Sequence, residues 1–230
     1  MCLGTIPSEH SLRSSRAKSA GGGGYGSLWI TQSRVDKHVL VRVDPLTGQV
    51  VATISLPIEG GRILIGGGAV WVAACTCETQ PPTLFQIDPQ SDRLVRTVRA
   101  PGTYERHGSF QQIVSNGSTL WGVSAPSEDT GTTGDSWLWR VDASTGVVRG
   151  PDRVGPGVEG IALKSGGVWL IRPVGSTSRS VLVLVDPANG RMVGPATAVG
   201  SLAGGITPGG DSLWVSSQEG TGAVLFRVRP

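Results

Sequence analysis

The side chains able to do chemistry in this chain are few and scattered. Histidine occurs only at His10, His38 and His107, and cysteine only at Cys2, Cys75 and Cys77. Cys75-Thr76-Cys77 is a C-x-C pair with no second Cys or His pair at zinc spacing. It reads first as two small residues at a strand end and second as a redox pair or disulfide, and no metal or other cofactor is indicated. Nothing rises to a catalytic signature. The glycine runs Gly21–Gly24 and Gly66–Gly68 neither open a helix nor carry the Lys-Ser/Thr that a phosphate cradle needs. What remains is binding chemistry. Tyr104-Glu105-Arg106-His107 interrupts an apolar pattern with an aromatic ring and mixed charge, its plain alternative being a solvated loop. Arg62, Glu159 and Arg172 complete the set of candidate ligand-binding residues, and Glu159 stands two residues before an apolar strand position.

The elements that must position these residues come from an internal repeat. Tryptophans at 29, 71, 121, 169 and 214 share one setting: Gly26-Ser27-Leu28-Trp29-Ile30, Gly68-Ala69-Val70-Trp71-Val72, Ser118-Thr119-Leu120-Trp121-Gly122, Gly166-Gly167-Val168-Trp169-Leu170 and Asp211-Ser212-Leu213-Trp214-Val215. Eight residues earlier stands Ile63, Ile113, Ile161 or Ile206, with Gly21 in the first copy. After each Trp comes a second landmark: Val43-Asp44-Pro45-Leu46-Thr47-Gly48, Ile87-Asp88-Pro89, Val141-Asp142-Ala143-Ser144-Thr145-Gly146 and Val185-Asp186-Pro187-Ala188-Asn189-Gly190. The fifth copy reads Val228-Arg229-Pro230. Two landmarks recurring in step define five copies of one unit.

Turn chemistry then assigns the strands. In Asp-Pro-x-Thr-Gly the Asp accepts a turn amide, Pro presets φ, and Gly supplies the positive φ. The flanking runs are therefore antiparallel strands. The Ile-to-Trp segment is a second hairpin reversed by its Gly-rich middle. Each unit is a four-stranded meander, with strand a carrying the Ile, b the Trp, c preceding the Asp-Pro turn and d following it. One meander cannot bury its two apolar faces, whereas stacked copies can. The expected fold is all-β, a five-bladed β-propeller of four-stranded antiparallel blades, with the tryptophans packed between blades and Trp137 and Trp139 less constrained.

Residues 24–230 are assigned to the propeller, with the last repeat incomplete. Residues 1–23 form an N-terminal segment and a candidate for the ring-closing strand. Strand a of the first blade would have to come from Ala20–Gly24, which is poor strand sequence. Either that closure is irregular or the chain is part of a larger propeller.

Composition agrees with many tight turns between short apolar strands: 35 of 230 residues are Gly and only 16% are charged. The net charge is +3, but no run of like charges exists, which argues against a nucleic-acid partner or a polybasic membrane patch. No apolar stretch is long enough for a transmembrane helix. The first residues lack the charged and apolar regions of a signal peptide. Localisation is therefore left open: extracytoplasmic if a signal has been removed, otherwise cytoplasmic.

The Gly-Ser-Leu-Trp and Val-Asp-Pro-x-Thr-Gly units resemble the bacterial propeller repeats of surface-layer-type, quinoprotein-like and streptogramin-lyase-like proteins across residues 24–230. Blade count and size are also similar to the lectin tachylectin and the plant-type glutaminyl cyclases. The streptogramin-lyase resemblance implies histidines, a glutamate and magnesium, yet none of the three histidines here stands in that motif. Val158-Glu159-Gly160-Ile161 is similar to a short acidic stretch of the glutaminyl cyclases, whose remaining pattern is missing. These resemblances leave two functions. The first is a non-catalytic binding or scaffold module that recognises a protein or small-molecule ligand on its loop face at the channel mouth. The second is a propeller enzyme using an acid such as Glu159.

Overall fold

The computed structural model describes residues 21–34, 37–74, 81–101, 109–125, 134–175 and 177–230. The cysteine pair and residues 1–20 lie outside them. All the regular elements described are strands, and they pair in chain order into antiparallel meanders. Contacts divide the chain into two units, Met1–Phe110 and Gln111–Pro230.

The first unit holds two sheets. One contains β1 (Gly21–Gly24), β2 (Ser27–Arg34), β3 (Lys37–Val43) and β4 (Val50–Leu56). The other contains β5 (Gly60–Gly66), β6 (Ala69–Ala74), β7 (Thr83–Asp88) and β8 (Arg93–Arg99). Between them Trp29, Leu40, Ile54 and Leu56 meet Val70, Val72, Phe85 and Ile87 in one apolar cluster. Every residue of β6 is buried while β4 is mostly exposed, because the middle strands of a stacked meander are covered on both faces and the outer strand is not.

The next sheet, which from Gln111 onward belongs to the second unit, contains β9 (Ser109–Ser115), β10 (Thr119–Ala125), β11 (Asp135–Asp142) and β12 (Val148–Pro156). Next come β13 (Gly160–Lys164), β14 (Gly167–Pro173), β15 (Arg179–Val185) and β16 (Met192–Ser201). The last sheet has three strands among the described residues: β17 (Gly205–Gly209), β18 (Ser212–Glu219) and β19 (Gly222–Val228). Successive sheets again share cores. Trp121, Leu138 and Val154 pack with Ile161, Val168 and Val183, and Ile171, Leu182 and Val199 pack with Leu213 and Val215.

Both sequence landmarks occupy their expected places. The position eight before the Trp pairs with the residue after it, as Ile63 with Val72, Ile161 with Leu170, Ile206 with Val215 and Gly21 with Ile30. The Trp Nε1 donates to the carbonyl five residues back at Trp29, Trp71 and Trp169. One expectation needs correction. Trp139 is fully buried, its Nε1 donating to Ser124 Oγ at 2.7 Å, so an inward strand position constrains it as tightly as a repeat Trp. The poor strand sequence at Gly21–Gly24 does form β1, paired along its whole length with β2. A side chain at Gly24 would be excluded, its Cβ lying 2.6 Å from Ile65 Cγ2, and one at Gly22 would be crowded at 3.1 Å from Ile63 Cγ2. The neighbouring strand a fills the space, so glycine marks close packing here.

The Asp turns follow the predicted chemistry. Asp44 Oδ1 accepts from Leu46 N at 2.7 Å, and Gly48 and Gly146 hold positive φ. Asp142 accepts from Ser144 Oγ and from the amides of Ser144 and Thr145, which holds its carboxyl well below the usual carboxylate range. The folded state thus favours the ionised form, so its stabilisation is present above about pH 4 and fades as the pH falls below that value. The Asp142→Asn protein should therefore melt below the parent at neutral pH, with the gap closing towards about pH 2–3. Thermal melts at both pH values check this, and an equal gap at both would refute it.

Candidate functional site

The seven residues singled out for binding are not placed alike. Tyr104, Glu105, Arg106 and His107 lie outside the described residues. Arg62 belongs to the first unit, exposed on β5 where the register to β6 shifts between Gly60 and Ile63. Glu159 and Arg172 belong to the second unit, and here the fold creates a juxtaposition.

β13 and β14 pair from Lys164–Gly167 up to Gly160–Ile171, and Glu159 N adds an off-register bond to Ile171 O at 3.0 Å, so a bulge ends the ladder at Glu159. Arg172 is the residue after Ile171 on the other strand. Gly160 faces Ile171 and Ile206. Arg172 lies against Gly155 of the β9–β12 sheet, and Gln112 of that sheet donates from Nε2 to the Glu159 carbonyl at 3.3 Å.

Electrostatically the pair is unfinished. Glu159 Oε2 and Arg172 Nε are both buried without a hydrogen-bond partner. Burial pushes the Glu159 carboxyl above its ordinary value. No ion pair joins the two among the described residues. Arg172 instead runs along the backbone of Gly155, where a Cβ would collide with its guanidinium, and Nη1 donates to Met192 Sδ at 3.2 Å. A soft sulfur is a weak acceptor for a charged donor, so the guanidinium retains donors to give. The arrangement can hold a group that accepts from Arg172 while donating to Glu159.

Sequence reasoning picked out Glu159 and Arg172 separately and missed Gln112, Gly155 and Met192. A signal for their proximity was available: the two residues stand symmetrically about the Ser165-Gly166 turn that joins β13 to β14. Gly155 carries no local signal, since its role is to leave room for a side chain from another sheet.

The recurring Asp residues sit elsewhere, in the turns, where their carboxylates are engaged by backbone amides. Among the described residues no group of three or more His, Cys, Asp and Glu is placed to hold a metal ion. No helix among those residues is long and apolar enough to cross a membrane.

Comparison with known proteins identifies the architecture. No family model matches the chain, and no curated protein sequence matches it. Solved structures do. A chain of Kuenenia stuttgartiensis hydrazine synthase superposes with a TM-score of 0.61 at 15% identity, covering 86% of this chain and 54% of that one. The Neurospora crassa Pan2 WD40 domain gives 0.61 at 9% identity over 86% and 59% of the two chains. A chain of a nidogen/laminin complex gives 0.60 at 12% identity over 92% and 75%. This chain thus spans little more than half the length of the first two. Together with five antiparallel sheets in chain order, these matches show an all-β, five-bladed β-propeller fold.

Proposed function

We propose that the chain is a non-catalytic binding propeller whose second unit holds a polar ligand between Glu159 and Arg172. One observation carries the reading: at the end of the β13–β14 ladder the Glu159 carboxyl and the Arg172 guanidinium each keep a buried polar atom without a partner. Such groups cost stability unless something satisfies them. A ligand with a hydrogen-bond donor beside a carbonyl or carboxylate would satisfy both, which describes a peptide segment or a small amino-acid-like molecule. The structural likeness to a WD40 domain and to a chain of a protein–protein complex supports a binding role. In the first unit, Arg62 and the stretch Tyr104-Glu105-Arg106-His107 are proposed as ligand contacts of their own.

The test is a ligand-observed NMR screen of free amino acids and capped dipeptides against the full chain. Glu159→Gln and Arg172→Met should each weaken binding about tenfold, the scale of one lost charged hydrogen bond. Undiminished binding in both variants would sink the reading. Stability supplies a second check. Because the Glu159 carboxyl is raised, its ionisation opposes folding, and this penalty appears as the pH rises through its folded-state value. Glu159→Gln should raise Tm at pH 7, with no gain below about pH 4, where the parent carboxyl is already protonated.

The raised carboxyl also favours a second reading, an enzyme using Glu159 as a general acid or base. The two separate cleanly: Glu159→Gln would abolish turnover and leave binding in place.

A further inference from the structure

The strand-c residue opposite each repeat Trp is not the same in every sheet. It is Arg42 opposite Trp29, Gln86 opposite Trp71, Arg140 opposite Trp121, Leu184 opposite Trp169 and Arg227 opposite Trp214. In two of the three sheets where it is Arg, the guanidinium lies over the Trp ring. Arg42 lies 5.3 Å from the Trp29 ring centroid, donates to Ser27 Oγ and Pro89 O, and pairs with Asp92 at 3.1 Å. Arg140 donates to Pro187 O and Ala188 O and pairs with Asp152 at 2.7 Å. Arg227 lies 5.6 Å from the Trp214 ring centroid, held by Ser212 and Asp211.

At Leu184 that guanidinium is missing. The shorter side chain folds back over Gly167, which stands where Ser27 and Ser212 stand in the Arg-bearing sheets; a Cβ at Gly167 would collide with Leu184. Beside it opens a cavity of about 450 Å³ lined by Trp169, Leu184, Val193, Pro187, Pro230 and Lys164, a volume within the range of small-molecule sites. Trp169 is only partly buried, as is Trp214 beside Arg227, whereas Trp29 and Trp71 are completely buried. The charged groups at the cavity are Lys164 and Asp186. Asp186 is engaged by Ala188 N and by Asn189 Nδ2 in its own turn. Lys164 Nζ donates to Gly210 O, which orients the ammonium and leaves two of its three N–H groups. A guanidinium from outside would meet this lysine and lack the hydroxyl that Ser27 gives Arg42.

We infer that this cavity is a binding site for a flat aromatic carboxylate, its ring against Trp169 and Leu184 and its carboxylate on Lys164. The site is independent of Glu159 and Arg172. Here the repeat has exchanged an arginine for a cavity of defined chemistry.

Calorimetric titration of the full chain with 2-naphthoate, and with 2-naphthalenemethanol as the uncharged counterpart, tests the assignment. Saturable one-to-one binding is expected, tighter for the carboxylate. Leu184→Arg restores the residue used in three other sheets, and Val193→Trp fills the mouth from a side chain that is 47% exposed. Each should weaken naphthoate at least tenfold while circular dichroism stays unchanged. Lys164→Gln should weaken naphthoate several-fold and leave the alcohol unaffected. Absence of saturable binding, or binding untouched by both filling variants, would overturn the site. Equal affinity for the acid and the alcohol would overturn the ligand class.

Discussion

Truncating Trp71 to alanine should cost about 3–5 kcal/mol, the range for a large aromatic removed from a closed core. Trp71 is fully buried, its Nε1 donates to Gly66 O at 3.2 Å, and its strand is buried end to end. Little of the vacated volume can be refilled, because neighbours on both faces are held by sheet hydrogen bonds. The same change at Trp169 should cost clearly less, since that ring is only partly buried and borders the cavity beside Leu184. Denaturant titration of both variants gives the comparison. Equal losses would show that ring burial does not set the energetics of the repeat.

Placing valine at Gly24 should destabilise by about 1–3 kcal/mol, the usual cost of forcing extra methyl groups into filled space. The new Cβ alone would sit 2.6 Å and 2.9 Å from the two γ-carbons of Ile65. Gly23→Val is the control. Its nearest neighbour is a Leu28 methyl 4.0 Å away, and valine suits an extended strand better than glycine, so that variant should be neutral or slightly stabilised. If both substitutions behave alike, the tetraglycine is not explained by the packing of Ile65.

These two experiments also mark where the sequence was informative. The repeat Trp, the strand-a Ile and the Asp turn could be read because each acts locally. A turn needs its Asp, Pro and Gly within six residues, and a hairpin fixes its register through its own short loop. The four glycines of β1 carry no such signal. Which of them may bear a side chain depends on Ile63 and Ile65, some forty positions along the chain. Trp139 is the same case from the other side, since its burial is set by the faces its strand meets.

The candidate sites follow the same division. Glu159 was visible as an acid two residues before the strand-a Ile and Arg172 as a charged residue of a loop, and the two stand symmetrically about the Ser165-Gly166 turn. By itself the sequence therefore determined the repeat, the blade plan and the turns, and singled out candidate binding residues. Only the tertiary structure decided that Glu159 Oε2 and Arg172 Nε are buried without a partner, and that a cavity opens beside Leu184. The physical reason is that turns and hairpins are settled between residues close in the chain, whereas desolvation and unfilled volume belong to the space between sheets.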